Sequence, residues 1–347
     1  MRTCFVTFIW LLFASHAEAA ASTVETRHID SEVLRENRVG LATRRSLKVY
    51  LPPGYASGTT RYPVIYMLHG LNWSNERMFE PGSNIQNTFD QAIARGVIRP
   101  FIAVAPDYTT QGPGTFFVNS TTAGRFEDFT VREVVPFVDA HYRTLARRES
   151  RAIMGEHMGA FGAFWYAVHH PDVWGTLYAL HPVGTGSGLV PMWSRPDWRR
   201  VKNAKSFADL DGDPYTPVFV AMSQTFLPNP DRPPFYCDFI VNLDDDPVTL
   251  NVANSQLLRS RFFLEKAIAD HLAGVKSLRG IKFDWGRYDP NQDHVYANQA
   301  FTRKLEELGI EHEAEEFRGL PWDKYWNEDG RVINSVLPFF AKRLDYR

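Results

Sequence analysis

The chain has 347 residues, with 38 Lys+Arg against 40 Asp+Glu and a formal charge of −2, a length that supports one large domain or two ordinary ones. Hydrophobic residues make up 44%, including 9 Trp, 14 Tyr and 25 Phe, which excludes a disordered chain. The near-neutral balance gives no electrostatic reason to expect nucleic acid or an anionic membrane as a partner.

Arg2 is followed by an apolar run from Cys4 to Ala14, then Ser15-His16 and the small residues Ala17 to Ala21. This pattern predicts a secretory signal peptide over residues 1–21, because the run is too short to span a bilayer. The expected mature protein is secreted or periplasmic and begins near Ser22. It keeps Cys237 and loses Cys4, so it forms no internal disulfide. No other segment reads as a membrane span.

Ser46 to Pro52 alternates and closes on Pro-Pro-Gly, as an antiparallel strand does. Pro63 to His69 and Phe101 to Pro106 are continuous apolar runs, the pattern of strands buried on both faces. A helix is expected over Val131 to Tyr142, a strand at Ala152 to Met154, and a closely packed helix over Met158 to His169. Further strands are expected at Leu177 to Leu180, Val218 to Met222 and Ile281 to Trp285. Amphipathic and apolar helices follow at Asn298 to Leu308 and Val332 to Leu344. The alternation predicts an α/β protein, a doubly wound, mostly parallel sheet with helices on both faces. Between Gly184 and Gly280 the pattern loosens, with eight prolines from Pro191 to Pro234 and helical spacing over Leu257 to Leu272. We read residues 184–280 as a loop and helix insertion over the site, within one domain spanning 22–347. The acid-rich stretches at Asp209 to Asp213 and Asp244 to Asp246 lack the closing Glu of a calcium loop and read as solvated turns.

Val49-Tyr-Leu-Pro-Pro-Gly-Tyr55, Ile65-Tyr-Met-Leu-His-Gly70, Ala105-Pro-Asp107 and Phe126-Glu-Asp-Phe129 come in order along the chain. After them stand Glu133 to Arg143, Arg151 to Gly162, His170-Pro-Asp172, Phe283 to Asp289 and Val336-Leu-Pro-Phe-Phe340. With these residues the chain resembles the putative-esterase family of α/β hydrolases, which includes esterase D, feruloyl and acetyl-xylan esterases and mycolyltransferases. The resemblance implies an α/β-hydrolase fold and hydrolysis or acyl transfer of a carboxylic ester, on a small-molecule, aromatic or carbohydrate substrate.

It also implies a nucleophile elbow, Gly-x-Ser-x-Gly, on a tight strand-to-helix turn. Here the elbow reads Gly155-Glu156-His157-Met158-Gly159, so His157 stands where the serine belongs. The family's catalytic histidine is also replaced, by Leu320 or Pro321 in Phe317-Arg-Gly-Leu-Pro-Trp322. The acid is matched by Asp289. An ordinary serine mechanism needs hydroxyl, base and acid together and cannot run on this set. Where relatives place a serine after the following strand, this chain has His181, so two histidines share the edge on which such folds build their sites.

Three chemical roles are open to His157: nucleophile, general base or metal ligand; the alternative is an inert pocket lining. His181 reads as a metal partner, a replacement base or a hydrogen-bonded pocket residue. No organic cofactor is expected, and a divalent metal, if bound, would take His157, His181 and Asp289. The backbone at Leu71 and Met158 is expected to hold an oxyanion. Trp73, Tyr108 and Trp322 are expected to line the substrate pocket. Glu156 could orient His157, although that position usually packs sideways. His294 could approach from the loop after the strand. His69 and Asp107 are expected structurally from the fold, and His169, His170, His271 and His312 read as helix or surface residues.

Overall fold

Apolar runs buried along their whole length form the middle of the sheet. In the computed structural model, which describes residues 21–189 and 191–347, these runs are β3 (Val64–Leu68), β4 (Ile102–Pro106) and β6 (Thr176–Leu180). The expected leader, apart from Ala21, lies outside the described residues. Around the central runs stand β1 (Thr23–Asp30), β2 (Arg44–Leu51), β5 (Arg151–Glu156), β7 (Gly280–Gly286) and β8 (Glu313–Phe317). Their order across the eight-stranded sheet is β1-β2-β4-β3-β5-β6-β7-β8. β2 pairs antiparallel with β1 and β4, and every other pairing is parallel.

Alternation along each strand sends side chains to two cores. Val64, Tyr66 and Leu68 join one, and Ile65 and Met67 join the other. The second core is closed by α1 (Ile85–Ala94), through Ile85 and Phe89, and by Leu337 and Phe340 of the last helix. The first is covered by α2 (Val135–His141) and α3 (Met158–His169). A π-type turn over Phe129–Val134 leads into α2. α4 (Thr216–Phe226), α5 (Val252–Phe262) and α6 (Leu264–Asp270) lie within residues 184–280. The chain then adds α7 (Gln292–Glu307), a second π-type turn at Val332–Val336 and α8 (Leu337–Arg343).

The sheet is the doubly wound, mostly parallel one that the alternation predicts. One expectation needs correction. Val218 to Met222 is not a strand; it lies inside α4, where Pro217 occupies the first turn and the apolar stretch continues to Phe226. A short apolar run has no period that separates a buried strand from a buried helix. The edge strands β1 and β8 and the helix α1 are additional to the predicted set. β8 reads Glu-Ala-Glu-Glu-Phe, an edge sequence too charged to look like a strand. No helix among the described residues is long and apolar enough to cross a membrane. Cys237 is a buried free thiol, and burial followed by the neighbouring Asp238 pushes its pKa up.

Strand register sets the site. Leu68 pairs with Gly155, Glu156 with Leu180, and Leu180 with Asp284. The residues immediately after these pairs therefore emerge side by side at the carboxyl edge of the sheet.

Candidate active site

Between β5 and α3 the chain turns on a single residue, His157, with φ 55° and ψ −112°. A positive φ at a residue with a Cβ costs about 1–3 kcal/mol and persists only where its surroundings impose it. Here the surroundings are backbone. A Cβ on Gly155 would lie 2.2 Å from the Gly159 carbonyl oxygen, and one on Gly159 would lie 2.1 Å from that of Leu68. The His157 N–H donates to the Leu180 carbonyl at 3.0 Å, and the His157 carbonyl accepts from Phe161 N at 3.1 Å to begin α3. The tight strand-to-helix turn is formed, with an imidazole at its tip.

That imidazole stacks on His181, with centroids 5.3 Å apart and an interplanar angle of 15°, and meets His294 edge-on at 5.6 Å. Its Nε2 is buried and has no hydrogen-bond partner. Burial, and then the neighbouring His294 and His181, push its pKa down to about 3 against the pull of Asp289. His157 is therefore a neutral imidazole with a free lone pair and little basicity.

Asp289 follows β7 and is 4% exposed. Its Oδ2 lies 2.7 Å from His181 Nε2 and 2.8 Å from His294 Nδ1, and its Oδ1 accepts from Asn291 N at 2.7 Å. Burial favours the neutral acid. The bonds to His181, His294 and Asn291 outweigh it and hold the carboxyl well below the usual carboxylate range. Asp289 thus orients two histidines, and neither is His157.

His181 is fully buried, and both of its ring nitrogens are committed. Gly286 N–H donates to Nδ1 at 3.0 Å, so Nε2 carries the proton that goes to Asp289. Burial, opposed by the Asp289 bond, lowers its pKa and keeps it neutral. His294 sits in the first turn of α7, with Nε2 2.9 Å from the Asn291 side-chain nitrogen. His294 reaches the site from just after β7, the approach that its place after that strand suggests, and the helix that carries it begins at Gln292, earlier than expected.

In the turn where the resemblance implies a catalytic histidine, Leu320 donates its N–H to Asp323 at 2.7 Å, and neither Leu320 nor Pro321 offers a side-chain base. Trp322 is 57% exposed, with its ring 6.5 Å from that of His157. It joins Leu71, Met158, His157, Asp289 and His294 in lining a cavity of about 390 Å³. Residues 184–280 supply much of the apolar remainder, including Met192, Val218, Phe219, Met222 and Phe262, beside an Arg195–Asp293 ion pair. Leu71 and Met158 thus reach the expected place. Met158 opens α3, so its N–H has no partner one turn back within the helix.

Trp73 and Tyr108 are not in this cavity. Trp73 lies under the Arg77 guanidinium, 4.7 Å from its ring centre, beside a separate groove with Asn72 and Pro113. Tyr108 is fully buried. Its N–H donates to His69 Nε2 at 3.2 Å, and its hydroxyl bonds Thr130 at 2.7 Å, which turns the ring into the core. Asp107 pairs with Arg45. Glu156 packs sideways against Gly70, with its carboxyl raised to about 7 by burial against the Gly70 amide and Arg331.

The family profile described as Putative esterase matches residues 39–230, and the chain belongs to that family. It is 31% identical over 146 residues to endo-1,4-beta-xylanase Y of Acetivibrio thermocellus, a match covering 39% of this chain and 13% of that protein. It is also 31% identical over 135 residues to an endo-1,4-beta-xylanase/feruloyl esterase of Xylanibacter ruminicola, covering 38% of this chain and 18% of the relative. The chain therefore spans a small part of these relatives' lengths. A solved ferulic acid esterase superposes with a TM-score of 0.64 at 20% identity, covering 93% of this chain and 98% of that one. The fold is that of an α/β hydrolase.

Proposed function

We propose that this chain hydrolyses, or transfers the acyl group of, a carboxylic ester carried by a small aromatic or carbohydrate molecule, without a serine nucleophile. One observation carries the reading: a strained elbow places His157, whose buried Nε2 has no hydrogen-bond partner, at the wall of an apolar cavity that Leu71 and Met158 also line. A cavity of about 390 Å³ suits an aromatic ester. The Leu71 and Met158 amides would take the oxyanion, since backbone donors do not depend on side-chain identity. Asp289 would hold His181 and His294 around the ring of His157. The leader-like pattern of residues 1–21 supports a reaction outside the cytoplasm.

Hydrolysis of a panel of aryl and sugar esters tests this. His157→Ala is expected to lose at least about 100-fold in kcat/KM, and equal rates would remove His157 from the chemistry. His157→Ser is expected to stay inactive, because no base stands at Leu320 or Pro321; appreciable turnover would show that His294 or His181 substitutes.

A second reading, a binding protein on an esterase scaffold, is favoured by the weak basicity of His157 and the committed nitrogens of His181. It predicts saturable binding of such esters with no product from the wild type.

A further inference from the structure

One nitrogen or oxygen from each of His157, His181, Asp289 and His294 lies within 4.8 Å of all the others. Ligand atoms around a single zinc, at bond lengths of about 2.0–2.1 Å, sit roughly 3–3.5 Å apart. The cluster is therefore within small side-chain adjustments of a coordination shell. The hydrogen bonds decide which of the four can serve.

His181 cannot. A metal takes the lone pair of one ring nitrogen and leaves a proton on the other. The Gly286 N–H already occupies the Nδ1 lone pair, so Nε2 must keep its proton and pass it toward Asp289. His157 can serve, since its buried Nε2 has no partner. Asp289 can also serve, because a carboxylate oxygen accepts more than one interaction and Oδ1 is separately anchored by Asn291 N.

His294 is decided by Asn291. With the Asn291 amide nitrogen facing His294 Nε2, the Asn291 Oδ1 is left buried and without a partner. An amide turned end for end has the same shape. Turning it lets Oδ1 accept an Nε2–H from His294, with the amide nitrogen then in the buried place that Oδ1 held. His294 Nδ1 then faces Asp289 Oδ2 at 2.8 Å, a contact that a proton bridges in the bare protein and that a metal cation can take over.

We propose that His157 Nε2, His294 Nδ1 and Asp289 Oδ2 bind one divalent first-row cation, with Asn291 and His181 as positioning residues behind His294 and Asp289. Two imidazoles and one carboxylate, with room in the cavity for water or substrate, suit zinc and leave positions open for a carbonyl oxygen. The ion would act as a Lewis acid in a site that has lost its serine and its base. The ester reading supplies that consequence, but the binding site stands without it.

The full chain, dialysed against a chelator and then reconstituted with zinc or cobalt, tests the site by elemental analysis, cobalt absorption bands and melting temperature. The wild type is expected to take up one equivalent and to melt higher with zinc present. His157→Ala and His294→Ala are expected to hold under about a tenth of an equivalent and to show no zinc-dependent rise. Should either fail to fold, His294→Gln is read in its place. His181→Gln is expected to keep the ion with roughly 10–100-fold weaker affinity. Uptake well below one equivalent in reconstituted wild type, or equal uptake in the wild type and a ligand variant, would overturn the proposal. The two readings fail separately. Full uptake with no ester turnover leaves the site and removes the esterase; chelator-resistant turnover without uptake does the reverse.

Discussion

The floor of the cavity is made by the ends of β3, β5, β6 and β7, and its roof by residues 184–280. The floor is held by backbone against backbone: Gly155 and Gly159 leave no room for even a methyl group, and His157 is forced to φ 55° between them. The roof is held by side chains. Phe219 rests on Trp198 and Phe262 on Phe226 and Phe161, while Gly212 in a roof turn has nothing within 4 Å of where its Cβ would be. Backbone constraints of the first kind hold whatever side chain stands at the tip of the turn. Packing of the second kind can be redrawn to fit another substrate.

Alanine at two glycines tests that contrast most severely. Gly159→Ala is expected to abolish soluble folded protein, because its Cβ meets the Leu68 carbonyl and the chain cannot yield. Gly212→Ala is expected to cost about 1 kcal/mol, from its positive φ alone. Circular dichroism and denaturant titration would show it, and similar losses at the two positions would break the comparison. Within the roof, Phe219→Ala should cost about 3 kcal/mol of stability and lower KM for bulkier esters more than it changes kcat. A uniform loss across the ester panel would mean that the roof shapes the reactive centre as well.

The strain in the floor gives a smaller signal. His157→Gly should be about 1 kcal/mol more stable than His157→Ala, since both delete the ring and only glycine tolerates the elbow's φ without a penalty. Equal midpoints in urea would show that the elbow relaxes once the ring is gone.

The smallest expected effect concerns Asp284, below the floor, which pairs with Arg331 at 3.2 Å and accepts from the Tyr178 hydroxyl at 2.9 Å. Burial outweighs both and raises its pKa to about 6. The folded state therefore binds this proton more tightly than the unfolded one. Its contribution to stability is complete below about pH 4 and lost as pH rises toward about 6. The stability difference between the wild type and Asp284→Asn should shrink over that window. A difference that widens would show that Arg331 governs the carboxyl.

Legibility in the sequence divides along the same line. Met158 to His169 is helical over the expected span, because the elbow glycines and the small residues after them admit one packing. Val218 to Met222 was misleading, since a helix buried on most sides has no polar stripe to reveal its period. His157, Asp289 and Trp322 could be placed in the site from their positions after strands and in loops. The Gly286–His181 and Asn291–His294 bonds could not. They depend on which way a ring and an amide face after two strands pair, and spacing carries no such information. Tyr108 shows the same limit, since the bond of its hydroxyl to Thr130 holds the ring in the core, away from the cavity.

Cys237 lies in the roof, buried, with a thiol that burial keeps protonated. A sulfhydryl in that state reacts with an alkylating reagent only while the surrounding segment is open. Its labelling rate, followed on the peptide that contains it, becomes a clock for roof opening. Slower labelling with an ester bound would show that occupancy of the cavity closes the roof, a motion that no spectroscopic change in the sheet would report.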